Sequence, residues 1–173
     1  TLEDTFAFAA KTGYDAVEIA PFTVAKWVTD ISAEQRAEIR SLAERNKIAI
    51  SGIHWVLVQT EGLHLTHADD GVRRKTSDYF VALVDFCADI GGRFIVVGSP
   101  KQRNLDAGVT MDQGWKWAAE CFREAVKHAS SRGVTICFEP LAPSETNFIN
   151  TAAQAIDFVR QFNSEHFKII LDV

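Results

Sequence analysis

The sequence predicts an α/β chain folded as an incomplete (β/α)8 barrel, about strands two to six with their helices, on three observations. Short runs that are apolar on both faces, such as RFIVVGSP and GVTICFEP, alternate with longer stretches whose apolar residues recur at helical spacing. Each strand-to-strand unit takes the ~30 or more residues that a parallel crossover needs. No GxGxxG or P-loop turn follows an early strand, which argues against a doubly wound sheet. A whole barrel takes typically ~250 residues. These 173 residues supply five strands, starting on a helix and stopping on a strand. The expectation is a single domain, residues 1–173, truncated at both ends.

The elements follow in order. LEDTFAFAAKT places Leu2, Phe6, Ala9 and Ala10 on one face, with Gly13 as a left-handed stop before the strand DAVEIA. Ser32 and Gln35 form a capping-box pattern ahead of Ile39, Leu42 and Ala43, and IAISGIHWVLV reads as the next strand. A third helix, roughly from Val72, carries Tyr79, Leu83, Cys87 and Ile90 on one stripe and stops at Gly91-Gly92 before RFIVVGSP. Thr110 and Gln113 cap a fourth, with Ala118, Cys121, Phe122, Ala125 and Ala129 inward, ended by Gly133 before VTICFEP. Thr151 and Gln154 cap a fifth, with Ile156 and Val159 inward, before FKIILDV.

Composition bounds the function. With 47% hydrophobic and 24% charged residues, the chain can bury an ordinary core. The net charge of −5 and the scattering of its 18 basic residues give no electrostatic footprint for nucleic acid. Cys87, Cys121 and Cys137 lie in apolar stretches without paired spacing, which suits buried thiols in a reducing compartment, the cytoplasm in the simplest case. No apolar run reaches the ~18 residues of a membrane span, and no charged-then-apolar leader opens the chain, so no membrane partner is expected.

A barrel presents its chemistry at the C-terminal ends of its strands. Those ends carry Glu18, His54 with Trp55 beside it, Glu139 and Asp172, whereas RFIVVGSP ends on Gly98-Ser99-Pro100. Glu139 and Asp172 come from successive strands, so in a barrel they converge; two carboxylates that close call for a shared cation or a shared proton. Plainer roles stand beside these. Glu139 reads also as a core carboxylate paired with a basic residue, and Asp172 as a helix cap. His54 reads as a substrate contact or a satisfied strand-end imidazole, with Glu18 as its hydrogen-bonding partner. His64 and His67 have the look of a metal pair but sit in a polar loop as solvated residues; His128 and His166 read as surface positions.

The runs GYDAVEIA, GIHWVL, FEPLAPSETNFINT and LDV together resemble the xylose isomerase-like TIM barrels, and within them the sugar phosphate isomerase/epimerase group that includes the ketose 3-epimerases. The resemblance covers the whole chain and is most specific from Glu139 to Thr151 and at Asp172. It implies that Glu139 is both a metal ligand and an acid/base, that Asp172 is a metal ligand, and that Glu145 contacts substrate hydroxyls. It implies a divalent cofactor, Mn, Mg, Co or Zn, and a sugar, sugar phosphate or cyclitol substrate whose proton is moved through an enediolate. His54 would hold a hydroxyl and Trp55 would form an apolar wall. The group's remaining ligands, a histidine on strand seven and a glutamate on strand eight, fall beyond Val173, so the chain alone is expected to be inactive. Pro143-Ser144 stand where the epimerases often carry an arginine.

Two other functions belong beside this one. The same superfamily includes zinc endonucleases acting at abasic DNA sites, which resemble a site with an imidazole at the end of strand four, where this chain reads GSP. The other is a non-catalytic barrel fragment that packs against a partner, or against a second copy as a homo-oligomer, through open sheet edges.

Overall fold

Local capping chemistry sets where most of the helices begin. The computed structural model describes residues 1–172, and its helices α1 (Leu2–Lys11), α2 (Ala33–Arg45), α4 (Met111–Arg132) and α5 (Ala152–Arg160) each open on a capping box, formed by Thr1 with Asp4, Ser32 with Gln35, Thr110 with Gln113, and Thr151 with Gln154. Helix α3 (Asp70–Asp89) is capped by Asp69, whose carboxylate accepts from Gly71 N. Helix α4 ends at Gly133, in the left-handed region at φ 67°, a conformation that costs a side-chain-bearing residue more than glycine.

Five strands lie between these helices: β1 (Ala16–Ile19), β2 (Ala49–Ile53), β3 (Phe94–Val97), β4 (Thr135–Phe138) and β5 (Phe167–Ile169). They pair in chain order, β1-β2-β3-β4-β5, and every pairing is parallel. Each strand therefore ends at the same rim of the sheet, the arrangement of a barrel segment. Between β1 and β2 the register slips: Val17 pairs with Ile50 but Glu18 with Gly52, leaving Ser51 in a bulge whose hydroxyl donates to Val17 O at 3.1 Å.

The core fills the space between the sheet and its helices. Phe80, Phe122, Phe138, Phe158 and Phe167 are all fully or almost fully buried, with ring centroids 4.6 Å apart for Phe80–Phe122, 5.0 Å for Phe122–Phe167 and 5.1 Å for Phe138–Phe158. Phe138 thus faces the helices. Because side chains alternate along a strand, Cys137 and Glu139 point to the opposite, barrel-interior face. All three cysteines are free and buried; burial pushes the Cys87 and Cys121 thiols up to about 12 and the Cys137 thiol up to about 11. Among the described residues no helix is long and apolar enough to cross a membrane.

Several expectations shift. The strand expected through Val58 stops at Ile53, because Trp55 takes a left-handed backbone (φ 52°) and Val58 N turns back to donate to Trp55 O at 3.1 Å. Val56 and Leu57 are apolar because they are buried beneath this turn. In FKIILDV the strand ends at Ile169; Ile170 N still donates to Phe138 O at 3.1 Å, while Asp172 lies beyond it, exposed, and Val173 falls outside the described residues. On α5 Ala155 and Phe158 are fully buried and Val159 is buried as expected, whereas Ile156 is only half-buried. His128 and His166 are half-buried: His128 Nε2 lies 2.8 Å from Asp85 Oδ1, and His166 Nδ1 lies 2.8 Å from Val134 O.

The two positions on α5 give a direct check of this core. Phe158→Ala is expected to destabilise by about 3–5 kcal/mol. Ile156→Ala, at a half-buried position, is expected to cost about 1 kcal/mol. Urea unfolding midpoints of the two variants measure the contrast, and equal losses would contradict the placement of Phe158 at the centre of the aromatic cluster.

Candidate active site

Glu139 stands directly after β4 at the C-terminal rim, half-buried. Its backbone continues the sheet, with Glu139 N donating to Val97 O at 3.1 Å, so the last hydrogen bond of the β3–β4 ladder fixes the residue that carries the carboxylate. Pro140 then ends the ladder by having no N–H to offer. The loop that follows is held by Asn150, whose Nδ2 donates to Leu141 O at 2.9 Å and Thr146 O at 2.8 Å. Glu145 sits in this loop, exposed, accepting from Ala142 N at 3.3 Å.

Electrostatics join residues from four loops. Burial first, then the negative charge of Asp172, raises the Glu139 carboxyl above the usual carboxylate range; Glu145 adds to the rise, while the Arg103 guanidinium and His54 oppose it. Asp172, Glu145, Arg103 and His54 thus all lie within the electrostatic reach of one carboxylate. Among the described residues no side chain donates a hydrogen bond to that carboxylate, because Arg103 spends its contact on the Glu139 main-chain carbonyl instead, Nη1 to O at 2.7 Å.

His54 follows β2, and its Nδ1 lies 3.0 Å from Glu18 Oε2, next to the register slip at Ser51 of β2. This pair fixes the ring's orientation and leaves Nε2 free to face a ligand. Trp55 is exposed, its ring 5.4 Å from that of His54 and stacked on Phe22 at 6.2 Å with an 11° tilt. Glu18, His54, Trp55 and Phe22 line a cavity of about 500 Å³ on the β1 side of the sheet. His64 and His67 lie in the loop between β2 and α3 with ring centroids 6.0 Å apart; each Nδ1 accepts a backbone N–H two residues on, from Thr66 at 3.2 Å and Asp69 at 3.0 Å, and burial holds His64 below its usual range.

A divalent cation fits what is present. Two carboxylates in each other's field, one of them half-buried without a donor from the protein, match the hard oxygen ligands such an ion prefers. The fit is partial, since among the described residues no group of three or more His, Cys, Asp and Glu side chains comes together around a metal position. Glu139 and Asp172 are the two carboxylates of this chain that would hold such an ion.

Arg103 does not stand out in the sequence, and Gly98 shows there only as part of a strand end without a ligand-type side chain. Arg103 is fully buried beside Glu139, and Gly98 is the residue against which the Glu139 carboxylate packs. Both lie in GSPKQR, after a strand with no ligand-type side chain; a basic residue placed just beyond a barrel strand end was the available signal.

Fold and site together define a parallel α/β barrel segment with paired acidic residues at the C-terminal ends of neighbouring strands. The sequence profile of the xylose isomerase-like TIM barrel family matches residues 6–173, and the chain belongs to that family. It is similar to the D-psicose 3-epimerase of Ruminiclostridium cellulolyticum, 28% identical over 165 residues, covering 94% of this chain and 54% of that protein. It is also similar to the L-ribulose 3-epimerase of Mesorhizobium japonicum, 25% identical over 173 residues, covering 99% of this chain and 54% of that protein. The crystal structure of D-psicose 3-epimerase with D-tagatose from Clostridium cellulolyticum superposes with a TM-score of 0.83 at 24% identity, covering 98% of this chain and 57% of that one. The chain spans about half the length of these curated relatives.

The raised proton affinity of Glu139 has a consequence for stability. Folding favours its protonated form, so its contribution is fully present below the ordinary carboxylate range and is lost as pH rises through the folded-state value. Glu139→Gln removes this dependence. In EDTA the variant is expected to be more stable than wild type at about pH 7, with the gain vanishing near about pH 4. Urea unfolding at the two pH values reads this out; a gain of equal size at both would show that the carboxyl is not perturbed as described.

Proposed function

We propose that the protein carrying this chain is a divalent-metal-dependent sugar isomerase or epimerase that moves a proton on the carbon beside a carbonyl through an enediolate, with a ketose epimerase as the form its relatives point to. The observation that carries this is Glu139: a half-buried carboxylate with raised proton affinity, at the rim where a barrel works, beside a second acidic residue. The activities of its relatives, 3-epimerases of psicose and ribulose, support the substrate class.

Glu139 takes the proton. Removing a weakly acidic C–H needs a base whose proton affinity approaches that of the medium, and burial together with Asp172 moves Glu139 in that direction. Glu139 and Asp172 would hold the metal, which when bound supplies Lewis-acid polarisation of the carbonyl. His54, oriented by Glu18, presents its free ring nitrogen to a hydroxyl, and Glu145 offers a carboxylate to another across the Pro140 turn. Trp55, braced by Phe22, gives the sugar's apolar face a wall. The abasic-site nuclease alternative draws no support from the end of β3, where Gly98 and Ser99 stand instead of an imidazole. The buried free thiols fit a reducing compartment such as the cytoplasm.

Incubation of the full-length protein with Mn²⁺ in D₂O and a panel of ketoses, aldoses and cyclitols is the test, with deuterium incorporation followed by NMR. Wash-in at a single carbon beside the carbonyl is expected, and none with any substrate overturns the proposal. Glu139→Gln is expected to lower kcat by about 10³-fold with little change in KM. Trp55→Ala is expected to raise KM about tenfold, the equivalent of roughly 1.4 kcal/mol of lost apolar contact.

A further inference from the structure

The loop after β3 has no ligand-type side chain at the strand end, yet it places a charged group against the core. Arg103 is fully buried, with its guanidinium carbon 5.0 Å from the centroid of the Phe138 ring. Nη1 donates to Glu139 O at 2.7 Å, while Nε and Nη2 have no hydrogen-bond partner among the described residues. A buried cation so incompletely paired is a poor device for stability, since an apolar side chain of similar volume is often as stable in such a place. What the guanidinium does accomplish is geometric. It grips the main chain of the residue whose carboxylate stands at the centre of the site.

The carboxylate itself is bounded too. A Cβ on Gly98 would lie 2.5 Å from Glu139 Oε2, closer than atoms approach, so the carboxylate occupies space that only glycine leaves open. Between them Ser99 turns the chain in the left-handed region (φ 39°), and its Oγ accepts from Leu57 N at 3.3 Å. The segment around Arg103 is tied down on both flanks. Leu65 N donates to Gln102 O at 2.8 Å, and Thr66 Oγ1 to Asn104 O at 2.8 Å. Leu105 N donates to Asn147 Oδ1 at 2.7 Å, and Asn147 N to Asn104 Oδ1 at 3.2 Å. The segment that carries Arg103 is therefore tied to the loops after β2 and β4, and its guanidinium passes that restraint to the Glu139 main chain.

We propose that Arg103 is a positioning residue: by clamping the Glu139 carbonyl, while the carboxylate fills the space that Gly98 leaves, it fixes where the Glu139 carboxylate stands toward substrate and metal. The proposal rests on Glu139 being the reacting carboxylate. It predicts a residue whose loss disturbs the site more than the fold.

Arg103→Met and Arg103→Lys in the full-length protein test this, with crystal structures, unfolding midpoints and steady-state kinetics for each. The Met variant is expected to keep its unfolding midpoint while the Glu139 carboxylate shifts by about 1 Å and kcat falls about 100-fold, KM changing far less. The Lys variant retains a donor for the carbonyl and is expected to recover about tenfold of that loss. An unmoved Glu139 with wild-type kcat in the Met variant overturns the proposal, as does a loss of activity that merely tracks lost stability. If neither variant folds, Arg103 serves the fold and the proposal falls. If the wild type itself turns over no sugar, the functional assignment fails, while the position of Glu139 in the Met crystal still decides the role of Arg103.

Discussion

Parallel pairing between consecutive strands is the constraint on which everything else in this structure depends. A parallel ladder cannot be closed by a tight turn, so each strand must be followed by a crossover, and here each crossover contains a helix. Two results follow at once. The helices cover one face of the sheet with an aromatic core, and all the strands release their chains at one rim. Residues far apart in sequence, from Glu18 to Asp172, are gathered there by the direction of the strands rather than by any affinity for one another.

Gathering acidic groups has a cost that the fold resolves locally. Burial and Asp172 disfavour the charged form of Glu139, and the structure provides a guanidinium nearby without letting it form an ion pair with the carboxylate. The carboxylate stays available, since a direct bidentate pair with arginine would occupy the oxygens that a cation or a substrate proton needs. Restraint falls on the backbone and freedom is left to the side chain.

The fold was legible because the signals that specify it are local. Three of the four capping boxes, the glycine at the end of α4 and the apolar strands are short-range patterns that the sequence shows directly, whereas the box of Thr1 with Asp4 went unread. The misjudged stretch, HWVLV after β2, is apolar for burial rather than for pairing; periodicity alone does not separate those causes, and the left-handed backbone at Trp55 carries no marker in a tryptophan. For the candidate site, Glu18, His54, Glu139 and Asp172 were singled out by asking what each strand end carries, and Glu145 by the resemblance to the epimerases. Arg103 was not, because its role depends on a contact between the loop after β3 and the residue after β4, which are separated in sequence by a whole helix.

The thiols have a practical consequence of their own. With their protons held at about 11 to 12, Cys87, Cys121 and Cys137 expose almost no thiolate at neutral pH, and alkylating reagents attack thiolate. Native molecules are therefore nearly silent toward such reagents, and labelling of Cys87 and Cys121 proceeds at the rate at which their helices lift from the sheet. These two cysteines are built-in reporters of opening, Cys87 for α3 and Cys121 for α4, while Cys137 on β4 reports from the barrel-interior face.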